Sequence, residues 1–339
     1  MPPDGSGAAA GPARRRRSYL PAGVVAAILG GVTVGALRVG ATEPEIEALL
    51  HEAGSPNLSR LWREGKLLER EGRALERDHP QEAVERYLGA ARRFEKIARE
   101  RHGLEEAHWR SARTFWAAGD TLPLDAKEER IEYFERAEVQ SSQGIEVDPD
   151  CAECMLWKFA AMGRLRTTRG VWMSIRQLPE MALLLDRGIA LNPTYADDGG
   201  NSTLGNLHYS SAIFYRVFPD WFWIGWLVGV KGDKERALAH SRTALSMHPS
   251  RLDYQIEMGC QLLCLGRTRG DRARLLEGME VLRAAILREP ETQDDARELA
   301  AAEIMLEHPG KSCGYSGDSW VEIDRAAARR AAASSRLAP

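Results

Sequence analysis

A spacing pattern that ends in proline recurs four times in this chain and limits its fold more than any other feature. Ala137, Ser141, Gly144 and Pro149 stand at offsets 0, 4, 7 and 12, as do Met181, Leu185, Gly188 and Pro193. The same offsets return in Ala237, Ser241, Ala244 and Pro249, and again in Gly278, Leu282, Ala285 and Pro290. Positions 0, 4 and 7 share one face of an α-helix, and small residues at 0 and 7 let a neighbouring helix approach closely. The proline ends each helix. Ala83, Tyr87 and Ala90 keep the spacing without the proline.

The pattern resembles the second helix of a tetratricopeptide repeat, whose Ala, aromatic, Ala and Pro positions have the same spacing. The aromatic position departs from it, being Ser141, Leu185, Ser241 and Leu282. Successive prolines lie 44, 56 and 41 residues apart, more than the roughly 34 of a regular repeat, so the array carries long helices or insertions. Ala, Leu, Glu and Arg dominate the composition and aromatics make up 7%, which favours an all-α fold. The expected architecture is a degenerate tetratricopeptide-like solenoid of about five helix pairs over residues 58–308. The pairs are 58–76 with 80–100, 104–118 with 126–147, 151–168 with 175–191, 202–217 with 233–247 and 250–266 with 272–288. A last helix spans 292–307.

The N-terminus reads as an address. Residues 1–17 end in Arg14 to Arg17 and are followed by an uncharged apolar run, 18–37. Twenty helical residues reach roughly 30 Å, enough to cross a bilayer core. The run fits a cleaved signal peptide or a retained membrane anchor, and its length favours retention. Four arginines ahead of it place the N-terminus in the cytoplasm and the rest of the chain in the periplasm or envelope. Arg16-Arg17-Ser18-Tyr19-Leu20 also has the form of a twin-arginine export signal. With no cysteine before residue 151, a lipid anchor on an early Cys is not expected. Residues 38–57 read as a polar linker, and 309–339 as a loop followed by an Ala/Arg-rich tail.

Candidate chemistry is sparse. The net charge of −3 lacks the basic excess of a nucleic-acid binder. Phe218 to Val228 is the most apolar stretch after the N-terminal run and holds Trp221, Trp223 and Trp226. It reads either as the first helix of a repeat or as an aromatic lip over a concave groove, contacting a protein, an apolar ligand or the membrane interface. With Trp157, Tyr209 and Tyr215, these three tryptophans form the candidate binding set. Asp197 to Ser202 leads into a helix, with Ser202 or Thr203 as its cap; an anion held at that helix start is the alternative. Cys151 and Cys154 form a CxxC at a helix start, read as a local disulfide or as two reduced residues, with a thiol-active centre as an alternative. Cys260 and Cys264 share a helix face, and Cys313 leaves an odd count. The sequence has no HExxH and no phosphate loop, since Met305 stands where Gly310-Lys311-Ser312 would need a glycine. No catalytic residue, metal or cofactor is expected.

Residues 151–290 resemble the TatT-type family, periplasmic tetratricopeptide proteins associated with TRAP transporters. The resemblance rests on Gly200, Thr203-Leu204-Gly205, Tyr209 and Pro219, followed by Lys231-Gly232-Asp233-Lys234-Glu235-Arg236-Ala237. It implies binding of the transporter's extracytoplasmic substrate-binding component and of a hydrophobic ligand in a central cavity, without catalysis. A fainter similarity to the regulator of microtubule dynamics family covers the same helices. The sequence thus points to a non-catalytic envelope protein whose groove binds a partner, with a scaffold lacking any small-molecule site as the alternative.

Overall fold

A computed structural model describes residues 43–52, 56–169, 176–197, 201–220, 225–226 and 228–316. These form twelve α-helices and a closing 3-10 helix. They are α1 (Glu43–Glu52), α2 (Pro56–Leu75), α3 (Pro80–Glu100), α4 (Glu105–Thr121), α5 (Lys127–Val147), α6 (Ala152–Arg169) and α7 (Leu178–Ala190). After these come α8 (Thr203–Val217), α9 (Lys234–Met247), α10 (Leu252–Arg269), α11 (Arg272–Ala285), α12 (Gln293–Glu307) and the 3-10 helix Pro309–Gly314.

Consecutive helices pack as hairpins: α2 with α3, α4 with α5, α6 with α7, α8 with α9 and α10 with α11. The protein is therefore an all-α, tetratricopeptide-like solenoid of five pairs with α12 as a further first helix. All twelve residues at offsets 0, 4 and 7 of the proline-ended pattern are buried, on α5, α7, α9 and α11. Ala83, Tyr87 and Ala90 are buried on α3 as well. The small positions do what their size allows. A Cβ on Gly278 of α11 would come within 2.9 Å of the Leu263 backbone nitrogen on α10, so only glycine permits that approach.

Local chemistry sets the helix starts. Ser202 caps α8 by accepting from Gly205 N at 3.0 Å, and Asp233 caps α9 by accepting from Arg236 N at 3.0 Å. Thr292 and Asp295 form a reciprocal capping box at α12. Gly270 ends α10 in the left-handed region with φ 68°.

Two expectations need correction. Within the segment read as a linker, α1 is a helix, because Ile46 and Leu50 stand one turn apart and bury against Leu58, Trp62 and Phe94. The loop expected after α12 begins as the 3-10 helix, tied to α10 by the Cys264–Cys313 disulfide, with Tyr315 buried behind it. The apolar run 18–37, the start of the chain and the Ala/Arg-rich tail lie outside the described residues. Among the described residues no helix is long and apolar enough to cross a membrane.

The solenoid curls far enough to meet itself. The first helices α4, α6, α8, α10 and α12 contact one another in succession, and α12 returns to α4. Arg297 on α12 donates to Asp120 O at 2.5 Å and to Leu122 O at 2.8 Å, satisfying carbonyls at the C-terminal end of α4. Leu124, just after α4, packs into the same apolar cluster as Leu252, Leu299 and Met305.

Candidate binding surface on the inner face

The inner face is built by the first helix of each pair. On α4, Trp109, Arg113, Trp116 and Asp120 recur at intervals of four, three and four residues, which places them in one stripe. On α6, Trp157 and Arg164 are seven apart, as are Tyr209 and Arg216 on α8. Their side chains meet across helices. Trp116 and Trp157 lie 5.6 Å apart between ring centroids, and the Arg164 guanidinium sits 5.4 Å above Trp116 while pairing with Asp120 at 2.9 Å. Tyr209 stacks on Tyr254 of α10 at 5.2 Å, and Arg251 lies 4.3 Å over the Tyr254 ring. Arg110 stacks over Trp109 at 4.6 Å and over Trp62 of α2 at 5.0 Å. Such cation–π contacts hold guanidinium groups where a purely apolar groove would have none.

Charge pairing runs round the same face. Glu69 of α2 pairs with Arg113 at 2.6 Å, and Asp197, in the loop before α8, pairs with Arg73 at 3.4 Å. Burial tends to raise the Asp197 carboxyl, but hydrogen bonds from Asn201 and the charges of Arg113 and Arg73 hold it below the usual range. Arg216 and Glu257 form a fully buried bidentate pair, Nε to Oε1 at 2.9 Å and Nη2 to Oε2 at 2.6 Å. The remaining Arg216 Nη1 donates to Ser312 O at 2.5 Å. No single stretch of sequence signals this network, because Arg216 and Glu257 are 41 residues apart and Arg297 and Asp120 are 177 apart.

The six residues singled out from sequence divide. Trp157 and Tyr209 are half-buried on the inner face. Tyr215 does not join them: it is buried on the other side of α8, where Arg236 of α9 sits 4.0 Å over its ring and His240 stacks on it. Trp221 and Trp223 lie outside the described residues. Trp226 is 86% exposed, whereas Val228, two residues on, packs against the cluster of Phe159, Leu178 and Phe214. Gly225 and Trp226 are helical, and the described residues on either side of this segment are tied together. Gly232 N donates to Pro219 O at 2.8 Å and Lys234 Nζ to Phe218 O at 2.7 Å. A Cβ on Gly232 would fall 1.9 Å from Phe218 O, so the closure requires glycine there.

The cysteines sort into two disulfides, Cys151–Cys154 and Cys264–Cys313, with Cys260 free. Cys151 and Cys154 are buried beside Trp109. Burial pushes the Cys260 thiol well above its usual range, and its Sγ lies 3.2 Å from Met305 Sδ. Among the described residues no group of three or more His, Cys, Asp or Glu is placed to hold a metal ion.

Two buried carboxyls open α4. Burial raises Glu105 to about 7, and burial plus the neighbouring Glu105 charge raises Glu106 to about 8. A carboxyl raised on folding stabilises the folded state while it stays protonated, and that stability is lost as pH climbs through the raised value. For Glu106 the loss between about pH 5 and pH 8 is on the order of 3–4 kcal/mol at roughly 1.4 kcal/mol per unit. Thermal melts across that window should show the decline in the native protein and a flatter profile in Glu106→Gln. A profile identical in both would refute the assignment.

Residues 71–215, less than half of the chain, match the family model described as regulator of microtubule dynamics protein 1-3. No curated protein matches the chain. Among solved structures the chain is similar to a crystal structure of a thermophilic TPR protein from Thermus thermophilus, at 18% identity. That likeness covers 71% of this chain and 99% of the other, with a TM-score of 0.44. Hairpin packing of the five pairs and the stripe of first-helix residues facing inward define this chain as a tetratricopeptide-like helical-repeat protein.

Proposed function

We propose that the chain is a non-catalytic envelope scaffold that docks a partner protein through Trp226, between α8 and α9. The observation that carries this reading is Trp226, left 86% exposed between α8 and α9, with Gly232 and Lys234 bonded back to Pro219 and Phe218. A tryptophan supplies a large contact area at little entropic cost and is a frequent anchor in protein interfaces. Repeat solenoids commonly present such anchors on an extended frame. The basic and apolar N-terminal segment supports a position in the envelope, bound to the membrane or exported. Two disulfides also fit an oxidising compartment. The resemblance of residues 151–290 to the TatT-type family supports the substrate-binding component of a TRAP-type transporter as the partner.

The inner face favours a scaffold over a carrier of apolar ligands, since its aromatic rings are interleaved with arginines and carboxylates that pair with one another. Trp226→Ala is expected to leave the melting temperature within about 2 °C of the native value, as a surface change should. It should reduce co-purification of the partner, and of the TRAP-type component in particular, by tenfold or more, about 1.4 kcal/mol. Unchanged partner recovery in a folded Trp226→Ala protein would end the reading.

A further inference from the structure

Arg166, in the last turn of α6, is a buried cation seated at the unfavourable end of a neighbouring helix. It is 8% exposed, and both of its hydrogen-bonded partners are neutral: Nη1 donates to Met181 Sδ at 2.7 Å and Nη2 donates to Gln177 Oε1. Gln177 is the N-cap of α7 and Met181 its fourth residue, so the guanidinium lies against the positive end of that helix dipole. Its Nε is buried with no partner. Burial pushes the Arg166 guanidinium below its usual range, and the charges of Glu138 and Glu180 draw it back without a hydrogen bond. Buried charges are ordinarily paired, because leaving one without a counter-ion is strongly destabilising.

The surrounding carboxylates do not fill that role. Glu180 of α7 pairs with Lys158 of α6 at 2.7 Å, and Glu135 of α5 pairs with Arg169 of α6. Burial raises the Glu138 carboxyl despite the charges of Arg166 and Lys158, which makes it a weak counter-ion. Helix α7 starts without a side-chain cap, its Gln177 amide oxygen being engaged by Arg166. Arg176, Gln177, Pro179 and Glu180 at this start are exposed, which gives an oxyanion an approach from solvent. Pro179 Cγ lies 4.0 Å from where a Cβ on Gly229 would stand, so the start of α7 borders the segment that carries Trp226.

We propose that the start of α7 is an oxyanion site, in which Arg166 and the N-terminal end of the helix, with Arg176 at the rim, hold a phosphate group. A helix N-terminus and a guanidinium recognise phosphate by the same means, N–H donors aimed at its oxygens and positive charge beside them. A phosphate monoester or free phosphate, carrying close to two negative charges, offsets the repulsion of Glu138 and Glu180 better than a carboxylate does. The buried Nε–H gains an acceptor, and the positive end of α7 gains a counter-charge. Free phosphate and a phosphomonoester lipid headgroup share this chemistry. Binding here is independent of the docking of a partner protein by Trp226.

Calorimetric titration of the full chain at constant ionic strength tests this, with inorganic phosphate in one arm and soluble dihexanoyl phosphatidic acid in the other. Dihexanoyl phosphatidylcholine is the control for the acyl chains. Saturable binding at one site is expected; similar affinity in the two arms assigns free phosphate, and tighter binding of phosphatidic acid than of either other compound assigns the headgroup. Arg166→Gln should weaken that binding by at least about tenfold, the loss of charge-assisted hydrogen bonds. Arg176→Gln, at an exposed position, should weaken it about threefold with unchanged circular dichroism. A native chain that binds neither phosphate nor phosphatidic acid overturns the site. Native affinity in a folded Arg166→Gln protein does the same, and if that variant does not fold, native affinity in Arg176→Gln decides against it.

Discussion

Replacing Arg216 by alanine is expected to lower folding stability by about 3–5 kcal/mol, the cost of leaving a buried carboxylate without its counter-ion. Arg216 is fully buried and Glu257 is 3% exposed, so water cannot take over the lost bonds. The guanidinium also joins three elements, reaching Glu257 on α10 and Ser312 in the 3-10 helix from its place on α8. Its loss should therefore loosen the C-terminal third of the solenoid as a unit. The double change Arg216→Met with Glu257→Leu should cost much less than Arg216→Ala alone, because apolar replacement of a whole buried pair is often close to neutral. Urea unfolding of the three proteins, followed by circular dichroism, separates these cases. A native-like midpoint for Arg216→Ala would mean that the pair is solvated rather than buried.

The second large effect concerns the two disulfides, which are expected to differ. Cys264–Cys313 spans 49 residues and joins α10 to the 3-10 helix. A loop of that size lies between the about 3 kcal/mol of a 15-residue loop and the about 4.7 kcal/mol of a 100-residue one, so its loss should cost about 4 kcal/mol. Cys151–Cys154 closes a separation of only three residues within one helix start, and the same relation gives about 2 kcal/mol. Cys264→Ser with Cys313→Ser should thus shift the unfolding midpoint about twice as far as Cys151→Ser with Cys154→Ser. Equal shifts would contradict the view that Cys264–Cys313 secures the end of the array.

Repeat packing was legible because it is local. Ala137, Ser141 and Gly144 sit within two turns of one helix, and their small size is itself the record of a close neighbour. Helix α1 was harder to see: Ile46 and Leu50 give only one turn of apolar spacing, between Glu43-Pro44 and Ser55-Pro56, and those breakers suggested a linker. Cysteine pairing could not be read, since Cys260 and Cys264 present the same face and only the fold decides which meets Cys313.

Less of the candidate surface could be read. Trp157 and Tyr209 reach the inner face as aromatic positions on first helices, but Tyr215, six residues after Tyr209, faces α9. Close spacing in sequence hid a change of side. Arg113, Trp116, Arg164 and Arg297 were missed because each owes its role to partners in other pairs. The stripe Trp109, Arg113, Trp116 and Asp120 was the one usable signal, a helical face carrying aromatic and charged residues together. Trp226 stood out by composition alone, and only the fold shows that it is exposed.

The proposed docking role turns on what touches Trp226 in the cell. A photo-reactive phenylalanine analogue placed at 226, compared with the same group at Leu287, which is 84% exposed on the turn after α11, tests it most directly. Crosslinking at 226 to one envelope protein, with none at 287, is the predicted result. Equal labelling at both sites, or no protein adduct at 226, would contradict it.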